Sequence, residues 1–135
     1  MINIFTDASC IVHAGIAGWA ALIRYPYEPE IELSGTELCG QINRMELLAA
    51  IKALTVISVC ETATIWTDSQ YVVRGSAQFK KKKDTNTDLW KLFDELKRTR
   101  TISVCWIRGH NGHPDNEFVN KLARKVARKA LRDLK

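Results

Sequence analysis

Apolar and polar residues alternate at the start of the chain. In "INIFTDASC" the alternation runs from Ile2 and gives way to small polar residues, which predicts a strand ending near Asp7. "GWAALIRY" predicts a second strand, with Pro26 and Pro29 marking a turn after it. "EIELSGTEL" alternates again and predicts a third strand in hairpin sequence with the second. Three successive strands with short links imply an antiparallel meander. The period then changes. In "NRMELLAAIKALTVIS", Met45, Leu48, Ala49, Lys52 and Val56 fall near helical spacing, and Leu47, Ile51 and Leu54 thicken the apolar face. This helix is expected to pack on the sheet, with Asn43 as its N-cap.

"ATIWTD" predicts a short buried strand ending at Asp68, and "SQYVVRGSA" a short helix. The segment from Lys80 to Asn86 is a polar loop. "TDLWKLFDELKRTR" puts Leu89, Leu92, Phe93 and Leu96 on one helical face, with Thr87 as cap. "ISVCWIRGH" predicts a fifth strand. A long amphipathic basic helix closes the chain from about Asp115, capped by Asp115 or Asn116. The order is β-β-β-α-β-α-α-β-α. A helix between strands three and four requires a crossover, which makes the later strands parallel to the first. The expected class is α/β, a mixed sheet flanked by helices, and 135 residues suit one domain.

Composition adds limits. No apolar run is long enough to span a bilayer, and "MINIFTDAS" lacks the form of a signal peptide, so a soluble cytoplasmic protein is expected. Cys10, Cys39, Cys60 and Cys105 are scattered with no C-x-x-C, which favours buried free thiols over a zinc site. The net charge of +5 is concentrated in Lys80–Lys83 and in the stretch from Lys121 to Lys135, which holds seven basic residues and one acid. In the last helix Lys121, Lys125 and Lys129 form one row, and Arg124, Arg128 and Arg132 another. Two basic runs on a small domain point to a polyanionic partner.

Asp7 and Asp68 are both predicted at the C-terminal ends of strands, and Glu46 in the first turn of the helix on the sheet. Singly, each has an ordinary structural reading, as a turn residue or a dipole-compensating acid. If strands one and four are adjacent and parallel, the three carboxylates converge at one sheet edge. Unpaired, they repel and resist burial; a hard divalent cation such as Mg²⁺ or Mn²⁺ relieves both. A multi-acid metal site on a basic domain implies phosphodiester chemistry on nucleic acid.

Four stretches then identify a resemblance. "FTDAS" (5–9), "NRMELLAAI" (43–51), "TDSQYV" (67–72) and "GHNGHPDNE…LAR" (109–124) resemble type 1 ribonuclease H, in order and spacing, over nearly the whole chain. The resemblance implies a free-standing, prokaryotic-like enzyme with sheet order 3-2-1-4-5. It implies endonucleolytic hydrolysis of the RNA strand of an RNA–DNA hybrid, with two metal ions, 5′-phosphate and 3′-hydroxyl products, and a monomer. Asp7, Glu46 and Asp68 match the metal-binding carboxylates, and His110 a loop histidine linked to product release or proton movement. Asn43, Gln70, Ser9 and Cys10 match positions that touch substrate. Amide side chains at Asn43 and Gln70 suit the 2′-hydroxyl displayed in a shallow minor groove. His110 and His113 make a poor zinc pair, because Gly112 and Pro114 break their register and no third soft ligand is near in sequence. His113 is expected to be structural.

The chain departs from the family pattern. Asn120 stands where a fourth carboxylate is usual, and an amide brings no charge. Three readings stay open: the amide suffices as a metal ligand, Glu117 one turn back supplies the charge, or the protein binds hybrid without cutting it. Ala8 follows Asp7 where glycine is usual, with the prospect of crowding, and His13 replaces a short polar residue. A longer basic handle common in bacterial members is reduced to Lys80–Lys83. Rival readings are a non-catalytic binding module and a DNA-acting nuclease on the same fold.

Overall fold

The computed structural model describes residues 1–77, 85–109 and 112–134. The strands are β1 (Ile2–Ile11), β2 (Ile16–Arg24), β3 (Ile31–Leu38), β4 (Thr62–Thr67) and β5 (Thr101–Trp106). The helices are α1 (Ile42–Val56), α2 (Gln70–Ser76), α3 (Thr87–Arg98) and α4 (Pro114–Asp133). They form one five-stranded sheet in the order β3-β2-β1-β4-β5. β1, β2 and β3 pair antiparallel, whereas β4 joins β1, and β5 joins β4, in parallel. The predicted order and the crossover argument therefore hold.

Side-chain alternation sends successive residues of β1 to opposite faces. Ile2 and Ile4 join Ala21, Ile23, Ile65, Leu47, Leu54 and Phe93 in the core under α1 and α3. Phe5 packs on the other face with Ala20, Leu22, Val119 and Ala123 beneath α4. β2 is buried from Ile16 to Ile23, covered on both faces, which explains its unbroken apolar run. Small residues set the closest approaches. A Cβ on Gly18 would overlap the carbonyl oxygen of Ala123 and lie 2.8 Å from Val126 Cγ2. α4 therefore sits tightly on β2. Its start is pinned by Arg24, which donates to both oxygens of Asp115 at 2.8 Å.

Several element ends differ from expectation. β1 continues past Asp7 to Ile11, because the hairpin with β2 outlasts the pairing with β4. Asn43 lies inside the first turn of α1, and Gln41 is the N-cap. Asn86, not Thr87, caps α3 in a left-handed conformation with φ 55°, which an amide residue tolerates. Its side chain accepts from Arg44 (3.2 Å) and donates to the Tyr71 hydroxyl (3.0 Å), joining three helices. Pro114 takes the first position of α4, making His113 the cap instead of Asp115 or Asn116. On α3 the buried set is Leu89, Trp90 and Phe93, while Leu92 is exposed. The cysteines are free, but none is fully buried: Cys10, Cys39 and Cys105 are half-buried and Cys60 is exposed. Among the described residues no helix is long and apolar enough to cross a membrane.

Candidate active site

The site forms where β1 and β4 part. Their ladder ends at the pair Phe5–Trp66, and β4 itself ends at Thr67. Asp7 thus lies two residues beyond the last shared pair, in mid-strand, not at a strand end. Asp68 follows β4 directly. The turn that carries it is fixed on both sides: Ser69 N donates to Thr67 Oγ1 (3.0 Å), and Ser69 Oγ accepts from Val72 N (3.2 Å), capping α2. Thr67 O also accepts from Ile107 N at 2.9 Å, which aligns the exit of β5 with this turn. Gly109 then passes so near that a Cβ there would lie 2.8 Å from Asp68 Oδ2. Sequence reasoning had singled out His110 of this motif and missed Gly109.

Glu46 reaches the same gap from the second turn of α1, one turn later than expected. Asn120 reaches it from α4. One oxygen from each of Asp7, Glu46 and Asp68 lies within 4.8 Å of the others, so the three acids converge as the sheet-order argument required. Asp7 and Glu46 are buried and Asp68 is half-buried. Asp7 Oδ1 accepts from the Ala8 amide (2.9 Å), and Asp7 Oδ2 from Asn120 Nδ2 (2.8 Å). Glu46 Oε1 is buried with no hydrogen-bond partner.

Removal from water, then the charges of Asp7 and Asp68, push the Glu46 carboxyl well above the ordinary range. Burial and the charge of Asp7 push Asp68 up to about 6. The buried acids face no arginine or lysine among the described residues. Such a group is costly as three anions and incompletely bonded. Hard oxygen donors, convergence and an orphaned buried acceptor together fit Mg²⁺ or Mn²⁺. Asp7, Glu46 and Asp68 are the residues able to hold it, with the Asn120 carbonyl as a neutral donor if its side chain turns.

The remaining predicted positions divide. Glu117 is exposed on α4 and is not part of the acid cluster. Asn43 and Gln70 are exposed at the starts of α1 and α2, at the same end of the sheet as Asp68. Ser9 and Cys10 are half-buried on the free length of β1, and burial raises the Cys10 thiol, helped by Cys39 and Glu46. Ala8 does not crowd the cleft, because its side chain is packed in the core with Met45 and Ala49. His113 is structural in position, its ring 5.2 Å from that of Phe5. His110 and Lys80–Lys83 lie outside the described residues.

The family model described as RNase H matches residues 1–128. The chain belongs to the ribonuclease H family. Its relatives include the ribonuclease H of Agrobacterium fabrum, 41% identical over 137 residues that span 92% of each chain. The ribonuclease H of Novosphingobium aromaticivorans is 39% identical, covering 93% of this chain and 96% of its own. Among solved structures the fold is similar to LC9-RNase H1, described as a type 1 RNase H with the type 2 active-site motif. That likeness has a TM-score of 0.81 at 25% identity over 95% of this chain and 72% of the other. LC11-RNase H1, solved with an RNA/DNA hybrid, gives 0.78 at 21% identity over 97% and 99%. As a ribonuclease H the protein is a hydrolytic nuclease, and the resemblance carried by the four motifs is borne out in family and in fold.

Proposed function

We propose that this ribonuclease H cuts the RNA strand of RNA–DNA hybrids internally, by hydrolysis that needs two divalent ions held by Asp7, Glu46 and Asp68. The observation that carries the reading is the unpartnered Glu46 Oε1 inside a cluster of three acids. Bound Mg²⁺, or Mn²⁺ in its place, supplies Lewis acidity and charge neutralisation at the scissile phosphodiester. The phosphorus–O3′ bond breaks, water adds to phosphorus, and the ends are 5′-phosphate and 3′-hydroxyl. The protein contributes position. Ala8 and Asn120 fix both oxygens of Asp7, and the capped turn at Ser69 fixes Asp68. Asn43, Gln70, Ser9 and Cys10 border the cleft and serve as contacts to the hybrid, where a 2′-hydroxyl offers both a donor and an acceptor. His110 is assigned to the rim, where it would carry a proton or help product leave.

The test is turnover on end-labelled duplexes in Mg²⁺ and in Mn²⁺, comparing hybrid, double-stranded RNA, double-stranded DNA and single-stranded RNA. Cleavage of hybrid alone is expected. Equal cleavage of double-stranded RNA would overturn the substrate assignment. Asn120→Asp adds a fourth negative group and removes the amide that donates to Asp7. Activity is expected to persist, with half-saturating Mg²⁺ lowered about tenfold, because each added charge near the ions strengthens their attraction. Loss of most activity in that variant, at any Mg²⁺, would mean that the site depends on the amide as donor. Glu117→Gln distinguishes the auxiliary-acid reading: since Glu117 is outside the cluster, its Mg²⁺ titration is expected to match the parent's.

A further inference from the structure

Away from the acid cluster, α4 carries a dense stripe of like charge. Lys121, Arg124, Lys125, Arg128 and Arg132 are exposed and line one shallow groove. Helical spacing puts them on the side opposite Val119, Ala123 and Ala127, which are buried on the sheet. No acidic side chain among the described residues pairs with any of the five; Lys129, by contrast, has Asp133 at 3.1 Å. Like charges at i,i+4 weaken a helix, so the stripe is a standing cost that a polyanion would relieve.

We propose that this face of α4 is a second phosphate-binding surface, holding the duplex backbone that flanks the segment over the acid cluster. The proposal rests on the reading that hybrid is the substrate. Position supports it first. The stripe begins at Lys121, next to Asn120, whose amide touches Asp7, and runs away from that contact. From Lys121 to Arg132 the helix covers roughly 16 Å. A duplex presents on each strand about one phosphate per 3.4 Å of axis, so the stripe spans about five phosphates. Side-chain type supports it next: the arginines offer planar forks that match phosphate oxygens. The helix is also ill-suited to the other common anionic surface, a membrane. Binding there requires an apolar flank free to enter lipid. The apolar side of α4 is spent on the sheet, and of its large apolar side chains only Phe118 is exposed.

The experiment compares R128Q/R132Q with K91Q/R98Q, which removes equal charge from the exposed surface of α3. Each is assayed on a hybrid of about 8 base pairs and on one of about 24, across a salt series. R128Q/R132Q is expected to raise KM about fivefold on the longer hybrid and flatten its log KM versus log salt slope by about 1 to 2. Its kcat, and both constants on the short hybrid, stay at the parent's values. K91Q/R98Q changes neither substrate. An equal KM rise on both lengths, or in both variants, would reduce the effect to net charge and overturn the proposal. No change on either length would make the stripe solvated surface. Co-sedimentation of the parent, but not R128Q/R132Q, with phosphatidylserine vesicles, together with an unaltered KM on hybrid, would reassign the face to lipid. A parent that cuts neither hybrid refutes the substrate reading itself, and that result is separate from the length comparison.

Discussion

Asp68→Asn is expected to lower turnover by roughly 1,000-fold, about 4 kcal/mol of barrier, and yet to raise the melting temperature of the metal-free protein. The two effects share one cause. Asp68 sits within reach of Asp7 and Glu46 with no cation among the described residues to offset them. Its carboxyl is pushed up to about 6 from 3.8. An acid whose folded value exceeds its unfolded value binds protons more tightly when folded. Stability then falls as pH rises through that interval. The cost is absent below about 4 and fully present above about 6. The variant's advantage in melting temperature should therefore be negligible at pH 4 and largest at pH 7. Mg²⁺ should stabilise the parent and close the gap, since a ligand that binds only the folded state adds stability by mass action. Differential scanning calorimetry of both proteins, with and without Mg²⁺, reads all of this. A variant less stable than the parent at pH 7 without metal would mean that the cluster is held together by hydrogen bonds rather than strained by charge.

Gly18→Ala is expected to be the most damaging single-methyl change, costing about 3 kcal/mol or more in a urea titration. The added Cβ would overlap backbone, the carbonyl oxygen of Ala123, and sit 3.0 Å from Ala127 N. Backbone in a helix cannot turn aside as a side chain can, so α4 must lift from β2. Asn120 and the Arg24–Asp115 pair ride on that helix. Half-saturating Mg²⁺ should rise along with the loss of stability. By contrast Gly40→Ala meets nothing within 4 Å and should be silent in both assays. A tolerated Gly18→Ala would show that the sheet and α4 are not in tight register.

The periodicities of β1 to β5 and of α1 to α4 gave the element order, and the crossover argument gave parallel β4, because both depend on patterns spread over many residues. The acid cluster followed from that order. What escaped was local and cooperative. Asn86 caps α3 because its amide bridges Arg44 and Tyr71, residues far from it along the chain. Trp90 replaces Leu92 in the core because α1 and α2, not the pattern of α3 alone, decide which face is covered; its ring lies 5.7 Å from that of Tyr71. The start of α4 was misplaced as well: Asp115 or Asn116 was expected as cap, whereas Pro114, whose fixed φ suits a first helical position, makes His113 the cap. Nothing in the sequence told that Asn120 would hold Asp7 as a donor, since the choice between its amide nitrogen and its carbonyl is made by the neighbouring charge.

The early end of the β1–β4 ladder has a further consequence. From Thr6 to Ile11, β1 is bonded to β2 along one side only. On the other side alternate amides point into the cleft, so a strand in the middle of the sheet carries a stretch of bare edge. The Ala8 amide there is held by Asp7 Oδ1, and the others bond water or whatever fills the cleft. Hydrogen–deuterium exchange should show fast amides in the second half of β1 beside slow ones in its first half. An uncleaved hybrid bound to Asp68→Asn should slow them. The central strand would then act as its own occupancy gauge, reporting a filled cleft without turnover.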